Sequence, residues 1–333
     1  MAVCSNAICA PVLARPCGAR YTTLVSKHSE SSDATDSHPG VGRQTETGMT
    51  HEARLVLRER RPQGTRVALA PGLAVGGAAF VVMAGPCAVE DAPQMMESAA
   101  AVADAGCAVL RGGAFKPRTS PYSFQGLGAP GVRLLLDAAE SHGLCAVTEV
   151  LDAADLPTLD GVALLQVGAR NMQNYALLKS LARERRPVLL KRGLAATVDE
   201  WLLAAEYLLA GGNDQVILCE RGTRGFEPAT RNTLDLSAVV MAKQRTHLPV
   251  IVDPSHATGR RELVVPLGLA AAAAGADGLL VEVHPRPEEA LCDGAQALFP
   301  DDLRELMRRL NPVVEAVGRE IWRPAQRRRA VAR

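Results

Sequence analysis

Aromatic side chains are scarce, at 3% of the 333 residues, which leaves too few π-faces for a platform that stacks nucleic-acid bases. With 47% apolar residues, the interior has to be filled by Ala, Val and Leu, as it is in α/β barrels. Net charge is almost absent. Lys plus Arg total 37 against 36 for Asp plus Glu, so nothing draws the chain as a whole to nucleic acid or an anionic membrane, and any anion must be met locally. A membrane span is lacking too. The most apolar long stretch, residues 263–283, is broken by Pro266, Gly268, Gly275, Asp277 and Gly278, short of the roughly 20 uninterrupted apolar residues a spanning helix needs. It reads as helix, turn, strand. The eight cysteines contain no C-x-x-C pair, and several sit in apolar strand-like runs where a buried thiol is ordinary. A reducing, cytoplasmic compartment is therefore expected.

The length suits one α/β barrel with a short extension. Residues 1–48 hold Ser, Thr, Gly and Pro without a sustained period of 2 or 3.6, the pattern of a disordered or loosely structured leader, with Met49 as an alternative start. Residues 49–78 read as a lead-in strand or hairpin, and the stretch 55–75 is placed to cap the closed end of a barrel. Over 79–318, short β-branched runs alternate with Ala/Leu-rich helical stretches. The candidate strands are 80–85, 108–111, 145–149, 164–167, 188–191, 216–219, 250–253 and 278–283. Eight of them predict a (β/α)8 TIM barrel; an open doubly wound sheet is the alternative. Residues 319–333 form a basic tail, read as a solvated helix end.

Barrels of this kind carry their chemistry on the loops after the strands. Those positions hold Cys87, Arg111 with Lys116 and Arg118, Glu149, Arg170, Lys191, Arg221, His256, and Glu282 with Asp293. Charge at the mouths of apolar strands is expensive to desolvate unless a ligand or metal pairs with it. Any one of these arginines alone would be an ordinary solvated charge. Six cations exceed what one phosphate requires, so two phosphorylated ligands, or three anionic groups, are expected. Cys87, His256, Glu282 and Asp293 could together bind a metal, and their mixed S, N and O donors suit Mn, Fe, Co or Zn over Mg or Ca. Without a local spacing motif, these residues leave a metal site and a buried cysteine beside unrelated acids as equal alternatives. His284 is set aside as a loop histidine, because Pro285 ends its strand.

The segments AGPCAVE (84–90), LRGGAFKPRTSPYSFQGLG (110–128), QVGARNMQN (166–174), LLKRG (189–193), ILCERGTRGFE (217–227), TRNTLDLSAV (230–239), VDPSHATGRR (252–261) and VEVHPRPEEALCDG (281–294) resemble 3-deoxy-7-phosphoheptulonate synthases, type I-beta, in order and spacing from about residue 55 to about 315. The resemblance implies condensation of phosphoenolpyruvate with erythrose 4-phosphate at the entry to the shikimate pathway and aromatic amino acids. It implies that Cys87, His256, Glu282 and Asp293 ligate the metal, and that Arg170 and Arg221 hold the phosphate of phosphoenolpyruvate. Arg111 and Lys191 would hold its carboxylate beside Lys116, and Glu149 would contribute at the third strand end. Lys116, Pro117, Arg118 and Thr119 would receive the sugar phosphate. Implied partners are the two substrates and further copies of the chain, as a dimer or tetramer, while control by a separate chorismate mutase stays open.

In the implied chemistry, C3 of phosphoenolpyruvate attacks the aldehyde, water adds at C2, and phosphate leaves by C–O cleavage. Cys87 and His256 would act through the metal, and Lys116 is the candidate proton donor, its pKa expected to be lowered by the surrounding cations. A Schiff-base aldolase using Lys191 is one alternative. A 3-deoxy-octulosonate 8-phosphate synthase is another, although the relatives with that activity resemble K-A-N-R-S-S where this chain has KPRTS. An amino-sugar-using paralogue and a non-catalytic metabolite-binding paralogue complete the set. Residues 1–48 lack the pattern of the ferredoxin-like domain that some members carry, so weak or absent inhibition by Phe and Tyr is expected.

Overall fold

The computed structural model describes residues 53–324; the leader expected over 1–48 and the tail after residue 324 lie outside them. The described chain opens with a hairpin, β1 (Val67–Ala70) and β2 (Leu73–Val75), paired antiparallel. Its turn is Pro71-Gly72, where Gly72 takes a φ of 78°, a conformation a side chain would strain. Then follow β3 (Ala79–Gly85), α1 (Ala92–Asp104), β4 (Val109–Arg111), α2 (Ala129–Ser141) and β5 (Cys145–Glu149). After β6 (Leu164–Val167) come α3 (Tyr175–Leu181), β7 (Val188–Lys191), α4 (Val198–Ala210), β8 (Val216–Glu220) and α5 (Leu236–Arg245). The last units are β9 (Val250–Val252), α6 (Pro254–Thr258), α7 (Arg261–Ala273), β10 (Gly278–Glu282), α8 (Pro300–Ala316) and β11 (Glu320–Ile321).

Strands β3 to β10 pair in parallel, each with the next in sequence, and β10 returns to β3 with Gly278 opposite Val81 and Glu282 opposite Gly85. The sheet is a closed eight-stranded (β/α)8 barrel. One crossover departs from strict alternation: between β5 and β6 the chain makes a 3₁₀ turn, Ala153–Leu159, with Pro157 inside it, where the missing proline N–H stops an α-helix from propagating.

Both faces of the strands are buried, and alternate residues serve two separate cores. Phe80, Val82, Leu110, Leu165, Leu190, Leu218, Val252 and Val281 pack under the helices. Val81, Met83, Val109, Val147, Leu164, Leu189, Ile217, Ile251 and Leu280 fill the interior together with Val67, Leu69, Leu73 and Val75 of the hairpin. This is the period of 2 expected of pleated strands, and it makes the hairpin a plug for the barrel. Gly278 permits the β10–β3 closure, since a Cβ there would lie 2.1 Å from the Val81 carbonyl oxygen.

Residues 319–322 are not a solvated helix end. Helix α8 stops at Ala316, Gly318 turns the chain at φ 75°, and Glu320–Ile321 adds a parallel strand beside Ala79–Phe80. Arg319 donates to the buried Asp277, and Trp322 Nε1 donates to the Gly72 carbonyl at 2.8 Å, tying tail and hairpin together. At the other end, Glu206 accepts from the backbone N–H groups of Arg54, Leu55 and Val56. No helix among the described residues is long and apolar enough to cross a membrane.

Candidate active site

The loops after the strands bring together residues far apart in sequence. Cys87 lies just past β3, His256 in α6 after β9, Glu282 at the end of β10, and Asp293 in the following loop. One donor atom from each of the four lies within 4.8 Å of the others. His256 Nε2 is 3.2 Å from Glu282 Oε1 and 3.9 Å from Asp293 Oδ2, and Cys87 Sγ is 3.2 Å from the same Asp293 oxygen. Asp293 has a φ of 56°, the one positive value at a non-glycine among the described residues; an aspartate tolerates this conformation better than most side chains.

The ring of His256 is oriented from behind. Asp253 caps α6 by accepting the His256 N–H through Oδ1 and the ring Nδ1 at 2.7 Å through Oδ2, which leaves Nε2 facing the cluster. Burial alone would raise the Asp253 pKa, but His256 and Lys191 outweigh it and hold the carboxylate well below its usual range. Burial likewise pulls His256 down, and Asp253 and Glu282 reverse that and raise it. For Asp293, burial is overcome by His256 and Arg231, and the pKa falls to about 2. The S, N and O set, with the histidine's other nitrogen bonded to a carboxylate, fits a metal ion.

A cleft of about 420 Å³ opens beside this group, within the usual range for small-molecule sites. Lys116, Pro117, Arg118, Thr119, Glu149, Arg170, Lys191, Arg221, His256 and Asp293 all line it. Arg111 does not: its guanidinium donates to Glu282 at 2.9 Å and to the Pro86 carbonyl. Lys191 lines the cleft while pairing with Asp253 at 2.6 Å. Arg118 donates to Cys292 Sγ and Arg170 to the Pro117 carbonyl. Arg221 donates to the carbonyl of His256, and burial pushes its pKa down. Glu149 accepts from Gln166, and Gly168 makes room for it, because a Cβ there would meet Glu149 Oε1 at 2.0 Å.

The expected lowering of the Lys116 pKa is corrected. Its Nζ donates to the carbonyl and to the sulfur of Cys87, both at 3.0 Å. Burial pulls the ammonium down, but attraction to Cys87 and Cys292 outweighs both burial and the repulsion of Arg111, so the net shift is upward. His284 stays outside the four-residue group; its Nδ1 accepts from the Arg286 N–H, and its Nε2 lies 3.4 Å from Glu90.

Four contributors escaped the sequence reading. Asp253 is three residues before His256, and an acidic N-cap one turn before a candidate ligand histidine was a signal within reach. Cys292 sits 3.2 Å from Cys87, and the hydrogen bond between the sulfurs raises Cys87 while lowering Cys292. Arg231 and Gln296 contact the two acidic members of the cluster, and no local pattern marks either of them.

Residues 64–317 match the model of the DAHP synthetase I family. Phospho-2-dehydro-3-deoxyheptonate aldolase of Thermotoga maritima is 50% identical over 266 residues, covering 80% of this chain and 78% of that one. The crystal structure of that aldolase, also called DAHP synthase, superposes with a TM-score of 0.78 at 48% identity, over 81% of this chain and 79% of the other. A 2-dehydro-3-deoxyphosphooctonate aldolase of Nitratidesulfovibrio vulgaris is 33% identical over 69% of this chain and 90% of its own length. The matched span contains the barrel and the whole cleft, and the chain belongs to the DAHP synthetase I family.

Proposed function

We propose that the chain condenses phosphoenolpyruvate with D-erythrose 4-phosphate and water, giving 3-deoxy-D-arabino-heptulosonate 7-phosphate and phosphate, the first step of the shikimate pathway. The observation that carries this reading is the convergence of Cys87, His256, Glu282 and Asp293 within 4.8 Å beside a cleft bordered by Lys116, Arg118, Arg170, Lys191 and Arg221. Those four residues would hold a divalent transition metal, Mn, Fe, Co or Zn, which would supply a Lewis acid for the aldehyde.

Arg170 and Arg221 bind the phosphate of phosphoenolpyruvate, and Lys191 its carboxylate, with Arg111 acting through Glu282. Lys191 is oriented for this by Asp253. Arg118 and Thr119 bind the sugar phosphate, which brings the aldehyde carbon toward His256 and Asp293. Lys116, kept protonated by its raised pKa, holds its proton beside the cluster and donates it to the oxygen that gains charge as the C–C bond forms. Water then adds at C2, and phosphate leaves with C–O cleavage. Erythrose 4-phosphate is preferred over a pentose phosphate because the heptonate aldolase is 50% identical and the octonate aldolase 33%.

The proposal extends to a cytoplasmic homo-oligomer, dimer or tetramer. Its catalytic core is tested by phosphate release from phosphoenolpyruvate after chelation, with erythrose 4-phosphate or arabinose 5-phosphate, each with and without Mn²⁺. Metal-dependent turnover with the four-carbon sugar alone is expected. Turnover with the pentose phosphate would reassign the substrate, and turnover with neither would leave a paralogue of other function.

A further inference from the structure

Glu282 and Asp293 come from different elements, yet the oxygens they do not offer to the cluster meet on one strap. Glu282 turns Oε1 toward His256 Nε2 at 3.2 Å and Arg111 at 2.9 Å. Its other oxygen, Oε2, accepts from Gln296 Nε2 at 2.5 Å. Asp293 likewise turns Oδ2 toward Cys87 at 3.2 Å, while Oδ1 accepts from Arg231 Nη1 at 3.3 Å. The same Arg231 nitrogen donates to Gln296 Oε1 at 3.2 Å. One guanidinium nitrogen and one amide thus link the outward oxygens of both carboxylates.

The direction of each bond in the strap is forced. Arginine only donates and an ionised carboxylate only accepts, so the Gln296 amide must point its oxygen at Arg231 and its nitrogen at Glu282. Gln296 is 2% exposed, where an unmade bond is costly. Asp293 needs the restraint, since it holds a positive φ in a loop.

Hydrogen bonds to its outer oxygen fix a carboxylate's orientation, so that the inner oxygen is the one presented to the cluster. Ca²⁺ collects six to eight oxygens, often from carboxylates using both, whereas sites with sulfur and nitrogen donors suit borderline transition metals at lower coordination. We propose that Gln296 and Arg231 are positioning residues that hold Glu282 and Asp293 to one inward oxygen each, and so set the site's preference for a transition metal over Ca²⁺. This inference rests on the metal-dependent reading of the cluster.

The test is binding, not turnover. Metal-stripped full-length protein is titrated with Mn²⁺, free Mn²⁺ is read by its electron paramagnetic resonance signal, and Ca²⁺ is added as competitor. Gln296→Leu is expected to weaken Mn²⁺ binding about 10- to 100-fold, as losses of outer partners do, and to narrow the Mn²⁺ to Ca²⁺ preference. Arg231→Ala should shift both in the same direction, and Arg231→Lys, which keeps a donor, should recover part of the loss. The Arg231 side chain is 40% exposed, so its variants test the strap even if Gln296→Leu does not fold. Wild-type affinity and preference in the Arg231→Ala variant would overturn the proposal, and so would weakening toward both ions by one common factor. Failure of the wild type itself to bind Mn²⁺ would overturn the metal reading, and the strap with it.

Discussion

The ring Nδ1 of His256 donates to Oδ2 of Asp253 across 2.7 Å, and this bond aims Nε2 at Cys87, Glu282 and Asp293. Asp253 is fully buried and ionised, and the same oxygen accepts from Lys191 at 2.6 Å. One carboxylate therefore orients the His256 ring and the Lys191 ammonium together. An amide in its place would offer Nδ1 a donor or a weaker acceptor and disturb both. Asp253→Asn should weaken Mn²⁺ binding about 10- to 100-fold and lower kcat/KM for phosphoenolpyruvate. Equilibrium dialysis with Mn²⁺, alongside steady-state kinetics at saturating metal, checks both effects; wild-type metal affinity would show that the ring is oriented by something else.

The phosphate roles proposed for Arg118 and Arg170 should separate kinetically. Arg118 and Arg170 both border it, but they come from different loops. A hydrogen bond to a charged group contributes about 1.5–3 kcal/mol, equivalent to roughly 10- to 150-fold in affinity. Arg118→Ala should raise KM for erythrose 4-phosphate by about that factor and change KM for phosphoenolpyruvate by less than about twofold. Arg170→Ala should do the reverse. Initial rates with each substrate varied in turn decide the matter, and equal effects on both substrates in both variants would refute the division of roles.

Gly85 has no room for a side chain. It ends β3 at a φ of 150°, and a Cβ there would lie 2.0 Å from the Arg111 carbonyl oxygen. The obstacle is backbone, which cannot rotate aside as a side-chain tip can. Gly85→Ala should therefore part β3 from β4, displace Cys87, and cost at least about 3 kcal/mol. Urea unfolding of the variant measures it; a loss below about 1 kcal/mol would mean the strands give way easily.

His247 should make the start of the described chain sensitive to acid. Its Nδ1 meets Thr65 Oγ1 at 2.7 Å and its Nε2 meets the Leu55 carbonyl at 2.8 Å. Burial lowers its pKa below 6.5, and the pull of the Leu55 carbonyl does not restore it. In the window between the folded and unfolded pKa values, the unfolded chain binds the extra proton, so stability rises with pH there. The contribution is complete above about pH 6.5 and fades as pH falls through that window. Melting temperature followed from about pH 7.5 to about pH 5.5 should fall, and the slope should flatten in His247→Phe. An unchanged slope in the variant would assign the acid sensitivity elsewhere.

Much of the barrel was legible because burial imposes periodicity. Strands such as 216–220 and 278–282 are covered on both faces, so they read as continuous apolar runs, and the charge that follows each run marked Lys191, Glu149 and Glu282. The 3₁₀ crossover at 153–159 was harder to see, because Pro157 interrupts an otherwise helical composition without naming its replacement. The strand at 320–321 was missed for a different reason: two residues carry no period, and their pairing with Ala79–Phe80 exists only once the barrel has closed.

The sequence by itself determined the alternation of strands and helices, the chemical types at the strand ends and, through family resemblance, the four candidate ligands. Only the tertiary structure decided which charges answer one another. Arg111 turns to Glu282, Lys191 to Asp253, and Arg231 reaches Gln296 and Asp293 from 65 and 62 residues away. The physical reason is that pattern along a chain reports which face a residue presents, whereas a hydrogen bond depends on distances of about 3 Å that exist only after eight strands have closed into a ring.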